Sequence, residues 1–211
     1  ACTSVVFAGD DPAGEAPKNE EPKAEEKKEE PKAEEPEFAT IDKRAPEFTL
    51  KNAKGDEVKL SGFADKIVVI EWINFDCPYV RKHYDGGAIN RRRKQYAEKG
   101  VVWLLVCSSA PGKEGHFTGE ALTTRIEKEG CDAACYLIDE DGKVGLKYKA
   151  RTTPHMFVID KKGVLRYQGA IDSVKSAKKE DIEGATNYVS AALDEVLADK
   201  TVSTKETKPY G

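Results

Sequence analysis

Cys77 is the residue of this sequence whose surroundings best suit chemistry. It follows the apolar run Lys66–Ile73 after a three-residue loop, and Pro78 comes directly after it. Pro is favoured in the first turn of a helix, where its missing N–H leaves no hydrogen bond unmade. A thiol at such a helix start faces free N–H groups and the positive end of the helix dipole, which stabilise a thiolate. Arg81 and Lys82 would add positive potential. The pattern predicts a nucleophilic Cys77, the alternative being a small buried apolar side chain.

Further positions stand out by residue type and by their place in the predicted elements. Thr153 and Pro154 stand directly before an apolar strand, and a Pro in that place indicates a tight turn and a cis peptide bond. Glu71 lies six residues before Cys77 within the apolar run. A carboxyl group buried there would have a raised pKa and would suit proton transfer. Alternatively, it pairs with a Lys or faces solvent. Trp72 is expected to pack either beside the site or in the core.

The remaining cysteines are candidate partners for Cys77. Cys107 ends the second apolar run, and parallel neighbouring strands bring their carboxyl ends to one edge of a sheet. Cys107 is therefore either a resolving thiol for Cys77 or a buried thiol at a strand end. Cys131 and Cys135 are four residues apart. They would form a local disulfide in an oxidising compartment if the segment is a turn, or stay separate thiols. No spacing of His and Cys predicts a metal site, and no cofactor is expected.

Hydrophobic periodicity indicates the elements that must position these residues. A hairpin is predicted where residues 47–50 and 57–60 alternate around a Lys-Gly-Asp turn. β-Branched apolar runs predict two buried strands, at 66–73 and 101–107. Gly86 and Gly87 lie inside the first predicted helix, which would break there. Shorter strands are predicted at 136–138, 156–160 and 164–168, and helices at 78–98, 118–129 and 182–197.

The order of these elements predicts an α/β fold. Strands that alternate with helices favour parallel pairing in the first half of the chain. The turn Lys161-Lys162-Gly163 favours an antiparallel pair near the end. The predicted architecture is a central mixed β-sheet with helices on both faces and an N-terminal β-hairpin.

The segments around the candidate residues resemble a known family. WINFDCPYV, SSAPG, and TTPHMFVID with KKGVLRYQG are similar to the thioredoxin-like redoxin group, in particular its alkyl hydroperoxide reductase/thiol-specific antioxidant branch. The resemblance covers about residues 45–197. It implies a thioredoxin-like fold with the reactive thiol at Cys77. It also implies a cis-Pro at Pro154, with Thr153, across the cleft from Cys77, and a buried acid at Glu71 that helps to move the proton of the thiol.

This sequence departs from the family patterns at several positions. Val80 replaces the second Cys of the thioredoxin C-x-x-C motif, and the Cys-Pro-Tyr segment that begins at Cys77 resembles glutaredoxins. Peroxiredoxins carry Thr or Ser three residues before the reactive Cys and Pro four residues earlier, where this chain has Asn74 and Ile70. Asn74 is expected either to hydrogen-bond to a peroxide or a disulfide sulfur or to cap the loop. Arg151 is the nearest candidate for the Arg that peroxiredoxins place in the cis-Pro region.

Together these features predict a thiol-dependent oxidoreductase or antioxidant protein. Cys77 would attack a small peroxide or a disulfide, and an external thiol would act as reductant. Asn74, Trp72 and Pro78 are assigned to substrate binding. The missing second Cys keeps open a different class, a redox-silent thioredoxin-fold scaffold that binds a partner in the same cleft. The net charge of −4 does not indicate nucleic acid as a partner, and the basic run 91–94 is interpreted as the solvated face of a helix.

Composition divides the chain into four segments. Residues 1–8 are predicted to be the remnant of a signal peptide, ending in Val6-Phe7-Ala8, or a lipoprotein N-terminus with Cys2 modified. Residues 9–40 are rich in Glu, Lys, Pro and Ala and are predicted to be a disordered tether. The redoxin domain is assigned to 41–200 and a C-terminal tail to 201–211. Either N-terminus predicts an extracytoplasmic protein, tethered to a membrane in the lipoprotein case; the alternative is a cytosolic chain.

Overall fold

The computed structural model describes residues 38–132 and 135–211. The predictions for residues 1–8 and for positions 9–37 of the tether lie outside these described residues. Within the described ranges, no helix has both the length and the apolar character needed to cross a membrane. The strands are β1 (Thr49–Asn52), β2 (Glu57–Lys59), β3 (Val68–Trp72), β4 (Val102–Cys107), β5 (Tyr136–Ile138), β6 (His155–Ile159) and β7 (Leu165–Gly169). The helices are α1 (Pro78–Tyr84), α2 (Ala88–Ala97), α3 (Gly119–Lys128), α4 (Lys143–Tyr148) and α5 (Tyr188–Leu197).

The strands form a seven-stranded mixed sheet in the order β2-β1-β5-β4-β3-β6-β7. β3, β4 and β5 run parallel, whereas β1 pairs antiparallel with β2 and β5, and β6 with β3 and β7. Trp72 pairs with Val106, so the carboxyl ends of β3 and β4 lie side by side. The predicted α/β fold with a central mixed sheet and an N-terminal hairpin is confirmed.

Helices cover both faces of this sheet. α1, α2, α3 and α5 pack on one face around inward-pointing residues such as Val69 and Leu105. α4 and the segment before β1 pack on the other face around Ile70 and Leu104. Because β3 and β6 are buried at all five positions, their side chains are apolar on both sides with almost no alternation. This explains why the sequence marks β3 as a continuous apolar run.

Two predicted helices have different bounds in the structure. The predicted helix at 78–98 is divided into α1 and α2, and Gly87 adopts a φ of 65° at the division, a left-handed conformation that glycine tolerates. The predicted helix at 182–197 begins only at Tyr188. The side chain of Asn187 accepts a hydrogen bond from Ser190 N at 2.8 Å and caps the helix there.

Helix α4 is absent from the sequence prediction because its six residues are too short for a periodic pattern. Its first turn is held by Asp139, whose buried carboxylate accepts hydrogen bonds from Val144 N at 3.1 Å and Gly145 N at 2.9 Å. A negative charge at a helix N-terminus stabilises the free N–H groups there. The position of α4 is therefore set by hydrogen bonds to Asp139 rather than by the hydrophobic periodicity that marks a longer helix.

The tail, residues 201–211, packs along the outer edge of β7. Thr207 N donates to Gln168 O at 3.1 Å, and Gln168 N donates to Lys205 O at 3.0 Å. Val202 and Tyr210 are buried. The tail thus extends the sheet edge and leads toward the loop that contains Pro154.

Candidate functional site

Cys77 lies at the junction of β3 and α1. It is the N-cap residue of α1, and Pro78 is the first helical residue. The Sγ atom of Cys77 is 3.0 Å from the carbonyl oxygen of Thr153, and Thr153–Pro154 is a cis peptide bond. The antiparallel pairing of β3 with β6 brings these two distant segments together at one edge of the sheet. The arrangement presents a single thiol, 9% exposed, to a polar backbone turn.

The loop before Cys77 is held by contacts within the protein. Asn74 Oδ1 accepts a hydrogen bond from Asp76 N at 2.8 Å, and Asn74 Nδ2 donates to Glu114 at 3.2 Å. Gly115 packs against the Asn74 side chain so closely that a Cβ atom at Gly115 would overlap with it. This geometry is that of a loop cap, and a direct contact between Asn74 and a substrate stays a prediction.

Arg125 on α3 supports the same loop. Its guanidinium donates to the carbonyl oxygen of Phe75 at 2.8 Å and pairs with Asp76 at 2.7 Å and with the buried Glu129 at 3.0 Å. No sequence signal singled out Arg125, because its partner Phe75 is 50 positions away along the chain. The loop that carries Cys77 is therefore positioned by α3 as well as by β3.

A cleft of 430 Å³ lies along this sheet edge and is lined by Trp72, Asn74 and Thr153, among others. The Trp72 side chain is buried, and its indole N–H donates to Ser108 Oγ at 2.9 Å. Ser108 in turn donates to Asp139 at 2.5 Å. Trp72 thus belongs to both the core and the wall of the cleft, while Pro78 is exposed at the start of α1.

Glu71 is buried on the face of the sheet that α1 covers. Its carboxylate accepts hydrogen bonds from Trp103 Nε1 at 2.8 Å and from the Tyr84 hydroxyl at 3.3 Å. Burial raises the pKa of Glu71, although the nearby Arg93 charge and the two hydrogen bonds oppose that shift. The expected burial of this carboxyl group is therefore observed, and its part in proton transfer stays a prediction.

The basic run 91–94 is not wholly the solvated helix face that the sequence suggested. Arg93 turns inward, where its guanidinium lies 5.4 Å from the Tyr84 ring centroid and donates to Cys131 Sγ at 3.3 Å. A buried carboxylate such as Glu71 favours a nearby cation because an unpaired charge in the interior is costly. The run alone could not reveal that Arg93 is the cation whose charge acts on that carboxylate.

The four described cysteines, Cys77, Cys107, Cys131 and Cys135, are free thiols. Cys107 is buried at the end of β4, in the same apolar cluster as Cys77, with its Sγ 3.6 Å from the carbonyl oxygen of Gly115. Burial raises the pKa of both the Cys131 and the Cys135 thiols. A resolving role for Cys107 and a disulfide between Cys131 and Cys135 both stay predictions about the oxidised protein.

The two basic residues of α1 are paired, contrary to the expectation that they add free positive potential near Cys77. Lys82 is buried and forms an ion pair with the buried Asp172 at 2.9 Å. Arg81 pairs with Asp85 and with Glu129. The charges of Arg81 and Lys82 are thus compensated by acidic side chains. Asp85 lies one turn further along α1, whereas Glu129 and Asp172 are distant in the sequence, and no sequence pattern predicted the contact with Asp172.

Two buried histidines flank these groups. His83 lies beside Asp172, at 3.7 Å, and neither of its ring nitrogens has a hydrogen-bond partner among the described residues. Burial lowers the pKa of His83 to about 4, and it also lowers the pKa of His155 to about 4. His155 stacks against Phe157 with 4.5 Å between ring centroids. Both imidazoles are therefore neutral at pH 7 and act as packed core groups.

Comparison with solved structures identifies similar chains. An uncharacterized conserved protein from Geobacillus kaustophilus is 26% identical, with a TM-score of 0.67, over 81% of this chain and 88% of that one. A hypothetical protein from Sinorhizobium meliloti 1021 is 27% identical, with a TM-score of 0.66, over 81% of this chain and 90% of that one. A putative thiol:disulfide interchange protein DsbE from Chlorobium tepidum, 22% identical with a TM-score of 0.54 over 74% of this chain and 99% of that one, shares the fold. A comparison with curated proteins finds no match.

A family model also matches the chain. The AhpC/TSA family model aligns with residues 41–168, from the segment before β1 to β7, and so includes β3, Cys77 and the Thr153–Pro154 turn. This range is more than half of the chain, and the architecture around it is that of thioredoxin-fold structures. The protein is therefore a thioredoxin-superfamily redoxin that belongs to the AhpC/TSA family.

Proposed function

We propose that this protein is a thiol-dependent oxidoreductase whose nucleophile is Cys77. The observation that carries the proposal is the 3.0 Å approach of Cys77 Sγ to the carbonyl oxygen of Thr153, a residue that lines the cleft. A thiol at that junction is fixed in position by the end of β3 and the start of α1, which favours attack on a bound substrate. Membership of the AhpC/TSA family supports the same class of reaction.

The proposed chemistry is a two-electron oxidation of the Cys77 thiol. With a hydroperoxide ROOH, the sulfur attacks the terminal oxygen, an S–O bond forms and the O–O bond breaks. The sulfur becomes a sulfenic acid, and the thiol proton is transferred to the departing oxygen to give ROH. With a disulfide RSSR′, an S–S bond to Cys77 forms as the substrate bond breaks, and R′S⁻ leaves.

We assign the transfer of the Cys77 thiol proton to Glu71. This carboxyl group is fully buried one strand position before Trp72, and burial raises its pKa. A carboxyl group with a raised pKa binds a proton more readily than an ordinary one and can exchange it during turnover. The assignment rests on burial and on the shared face of Glu71 and the cluster that contains Cys77.

A second thiol must return Cys77 to its reduced state. Val80 stands one turn after Cys77 and is buried, so the helix itself offers no second sulfur. An external thiol R″SH would condense with the sulfenic acid to give a mixed disulfide and water, and a second R″SH would release Cys77 as R″SSR″ forms. Cys107 is the alternative resolving thiol, because it lies in the same buried cluster at the same sheet edge.

The test is the reactivity of the Cys77 thiol. Purified protein is mixed with hydrogen peroxide, or with a model disulfide such as dithionitrobenzoate, at pH 7. We expect the reaction to be faster than that of free cysteine by at least about tenfold, and to be lost in Cys77→Ser. Cys135→Ser removes a thiol elsewhere and is expected to react like the wild type. Sulfenic acid is trapped with dimedone and located by peptide mass spectrometry, which also reports any Cys77–Cys107 disulfide.

The competing function is a redox-silent scaffold. The observation that favours it is the absence of a second Cys one turn into α1, where Val80 is buried. A scaffold would react with neither oxidant faster than free cysteine does. That result would reject the oxidoreductase, whereas absence of a Cys77–Cys107 peptide after mild peroxide treatment would reject only the internal resolving thiol.

The same proposal includes a location outside the cytoplasm. It is supported by the apolar start of residues 1–8, the Cys at position 2 and the charged, Pro-rich segment that follows. A lipid on Cys2 would tether the redoxin domain to a membrane, and residues 9–40 would set its reach. Fractionation of cells that express the precursor, with mass analysis of the N-terminus, tests this: recovery of the unmodified chain in the cytosol would contradict it.

A further inference from the structure

The last residues of the tail lie beside the candidate site. Gly211 lines the same cleft as Asn74 and Thr153. Its backbone is packed so tightly on Thr152 and Thr153 that a Cβ atom at Gly211 would overlap with the carbonyl oxygen of Thr153. That oxygen is also the atom that Cys77 Sγ approaches. One backbone carbonyl is therefore shared between the reactive thiol and the end of the tail.

Tyr210 anchors the tail in this position. Its ring lies 5.7 Å, centroid to centroid, from the ring of Tyr79, the second residue after Cys77. Its hydroxyl donates to Asp172 and lies 3.4 Å from Lys82 Nζ. The side chain is 6% exposed. A buried aromatic ring with a paired hydroxyl is a strong anchor, because both its apolar area and its polar tip are satisfied.

The tail is also fastened upstream of Tyr210. Thr207 Oγ1 accepts a hydrogen bond from Ala170 N at 2.9 Å and contacts the Tyr167 hydroxyl at 2.6 Å. Gly169 lies against Thr207 so closely that a Cβ atom there would overlap with it. The tail thus reaches Thr153 as a segment held at two points, Thr207 and Tyr210.

We propose that the tail is a specificity element that admits small substrates to Cys77 and excludes protein disulfides. The inference rests on the proposed function of Cys77 and deepens it by naming the substrate class. Attack on a disulfide requires the Cys77 sulfur to form an S–S bond in line with the bond that breaks, with the second sulfur leaving as a thiolate. A protein disulfide carries polypeptide on both sides of that bond and must lie across the backbone next to the thiol.

That backbone is covered in this protein. Extended peptides bind to a neighbouring chain through exposed main-chain groups, and Gly211 already covers those of Thr153. Tyr210 likewise covers one side of Tyr79. Hydrogen peroxide, a small organic hydroperoxide or a small disulfide needs far less room than a polypeptide, and Cys77 retains 9% exposure. The covered surface therefore discriminates by bulk rather than by charge.

The experiment releases the tail and compares reagents of equal chemistry and unequal size. Tyr210→Ala removes the anchor, and Gly211→Ala introduces a Cβ atom where it would overlap with Thr153. Gly184→Ala is the matched control, since a Cβ atom there meets nothing within 4 Å. Modification of Cys77 by N-ethylmaleimide and by a polymer-linked maleimide is followed by peptide mass spectrometry. Oxidation by hydrogen peroxide and mixed-disulfide formation with insulin are measured on the same variants.

We expect Tyr210→Ala and Gly211→Ala to raise the rates with polymer-linked maleimide and with insulin by roughly tenfold, because an undocked tail becomes well populated. The rates with N-ethylmaleimide and hydrogen peroxide should change by less than about twofold, and Gly184→Ala should match the wild type. Unchanged bulky-reagent rates in folded variants would overturn the inference, as would an equal rise for small and bulky reagents. If Tyr210→Ala fails to fold, Gly211→Ala decides, because it removes no buried side chain.

The two proposals fail in different ways. A wild type in which Cys77 reacts with peroxide, but in which tail variants gain no bulky-reagent reactivity, retains the proposed function and loses the specificity element. A wild type in which Cys77 reacts with N-ethylmaleimide no faster than free cysteine, and with no peroxide or disulfide, loses both.

Discussion

Two buried charged clusters lie on opposite sides of helix α1, and they differ in how their charge is compensated. The first centres on Glu71, which accepts hydrogen bonds from the neutral donors Trp103 and Tyr84 and lies near the charge of Arg93. The second centres on Asp172, which is paired directly with Lys82 and accepts a hydrogen bond from Tyr210. α1 contributes a side chain to each cluster and carries Cys77 at its start. Both clusters therefore contact the helix that carries Cys77.

This difference in compensation distinguishes Glu71, which suits proton exchange, from the Lys82–Asp172 pair, which holds neighbouring elements together. Burial raises the pKa of Glu71, and the nearby Arg93 charge and the two neutral hydrogen bonds oppose that shift only in part. Asp172 instead has a full cation, the Lys82 ammonium, against it at 2.9 Å. A buried ion pair is costly to break but need not stabilise the fold relative to apolar residues. The Lys82–Asp172 pair thus suits orientation of α1 and of the tail, and Glu71 suits proton transfer.

The largest expected effect is loss of one partner of the ion pair. Asp172→Ala should lower the free energy of unfolding by about 3–5 kcal/mol, because Lys82 would be left buried and unpaired. The exposed pair between Lys99 and Asp194 serves as the comparison, and Asp194→Ala should cost much less. Urea unfolding at pH 7 measures both. If removal of both partners in Lys82→Met/Asp172→Leu destabilises as much as Asp172→Ala alone, the unpaired charge is not the cause.

A smaller effect is expected from the histidine beside that pair. The pKa of His83 is about 4 in the folded protein, below its ordinary value of 6.5, because the ring is buried. The unfolded chain then binds more protons between these values, so stability is present above pH 6.5 and is lost as pH falls toward 4. The loss is about 3 kcal/mol for this residue. His83→Leu should flatten the dependence of the free energy of unfolding on pH in that window; an unchanged slope would show that the ring is not buried and neutral.

The smallest expected effect concerns Glu71, whose pKa is raised rather than lowered, so that its contribution to stability changes with pH in the opposite direction to that of His83. A carboxyl group with a raised pKa in the folded state contributes stability below its ordinary pKa, and that stability is lost as pH rises through the folded value. Glu71→Gln should therefore raise the free energy of unfolding at pH 7 by on the order of 1 kcal/mol. If Glu71 also serves proton transfer, the same variant lowers the rate of Cys77 oxidation and changes its pH profile. Greater stability with an unaltered rate would leave Glu71 a purely structural group.

Much of the fold was predictable from local patterns. The two buried strands, the hairpin and the position of Cys77 before Pro78 follow from hydrophobic runs and from Pro and Gly preferences, which act over a few residues. The bounds of α5 and the existence of α4 were not predictable from periodicity. They depend on the caps Asn187 and Asp139, and a cap is a single side chain rather than a repeating pattern.

The residues of the candidate site also fall into two groups, those that local patterns mark and those that only tertiary contacts place. The sequence singled out Cys77 and Pro154 because helix starts and turns bear local signatures, and Glu71 because of its spacing from Cys77 and the resemblance to thioredoxins. Only the tertiary structure decided that Arg93 turns inward onto Tyr84, near Glu71, and that Lys82 pairs with the buried Asp172. It also decided that the tail covers the backbone beside the thiol. These contacts join residues that are distant along the chain, and the free energy that selects them comes from burial and charge compensation in three dimensions, which no local pattern records.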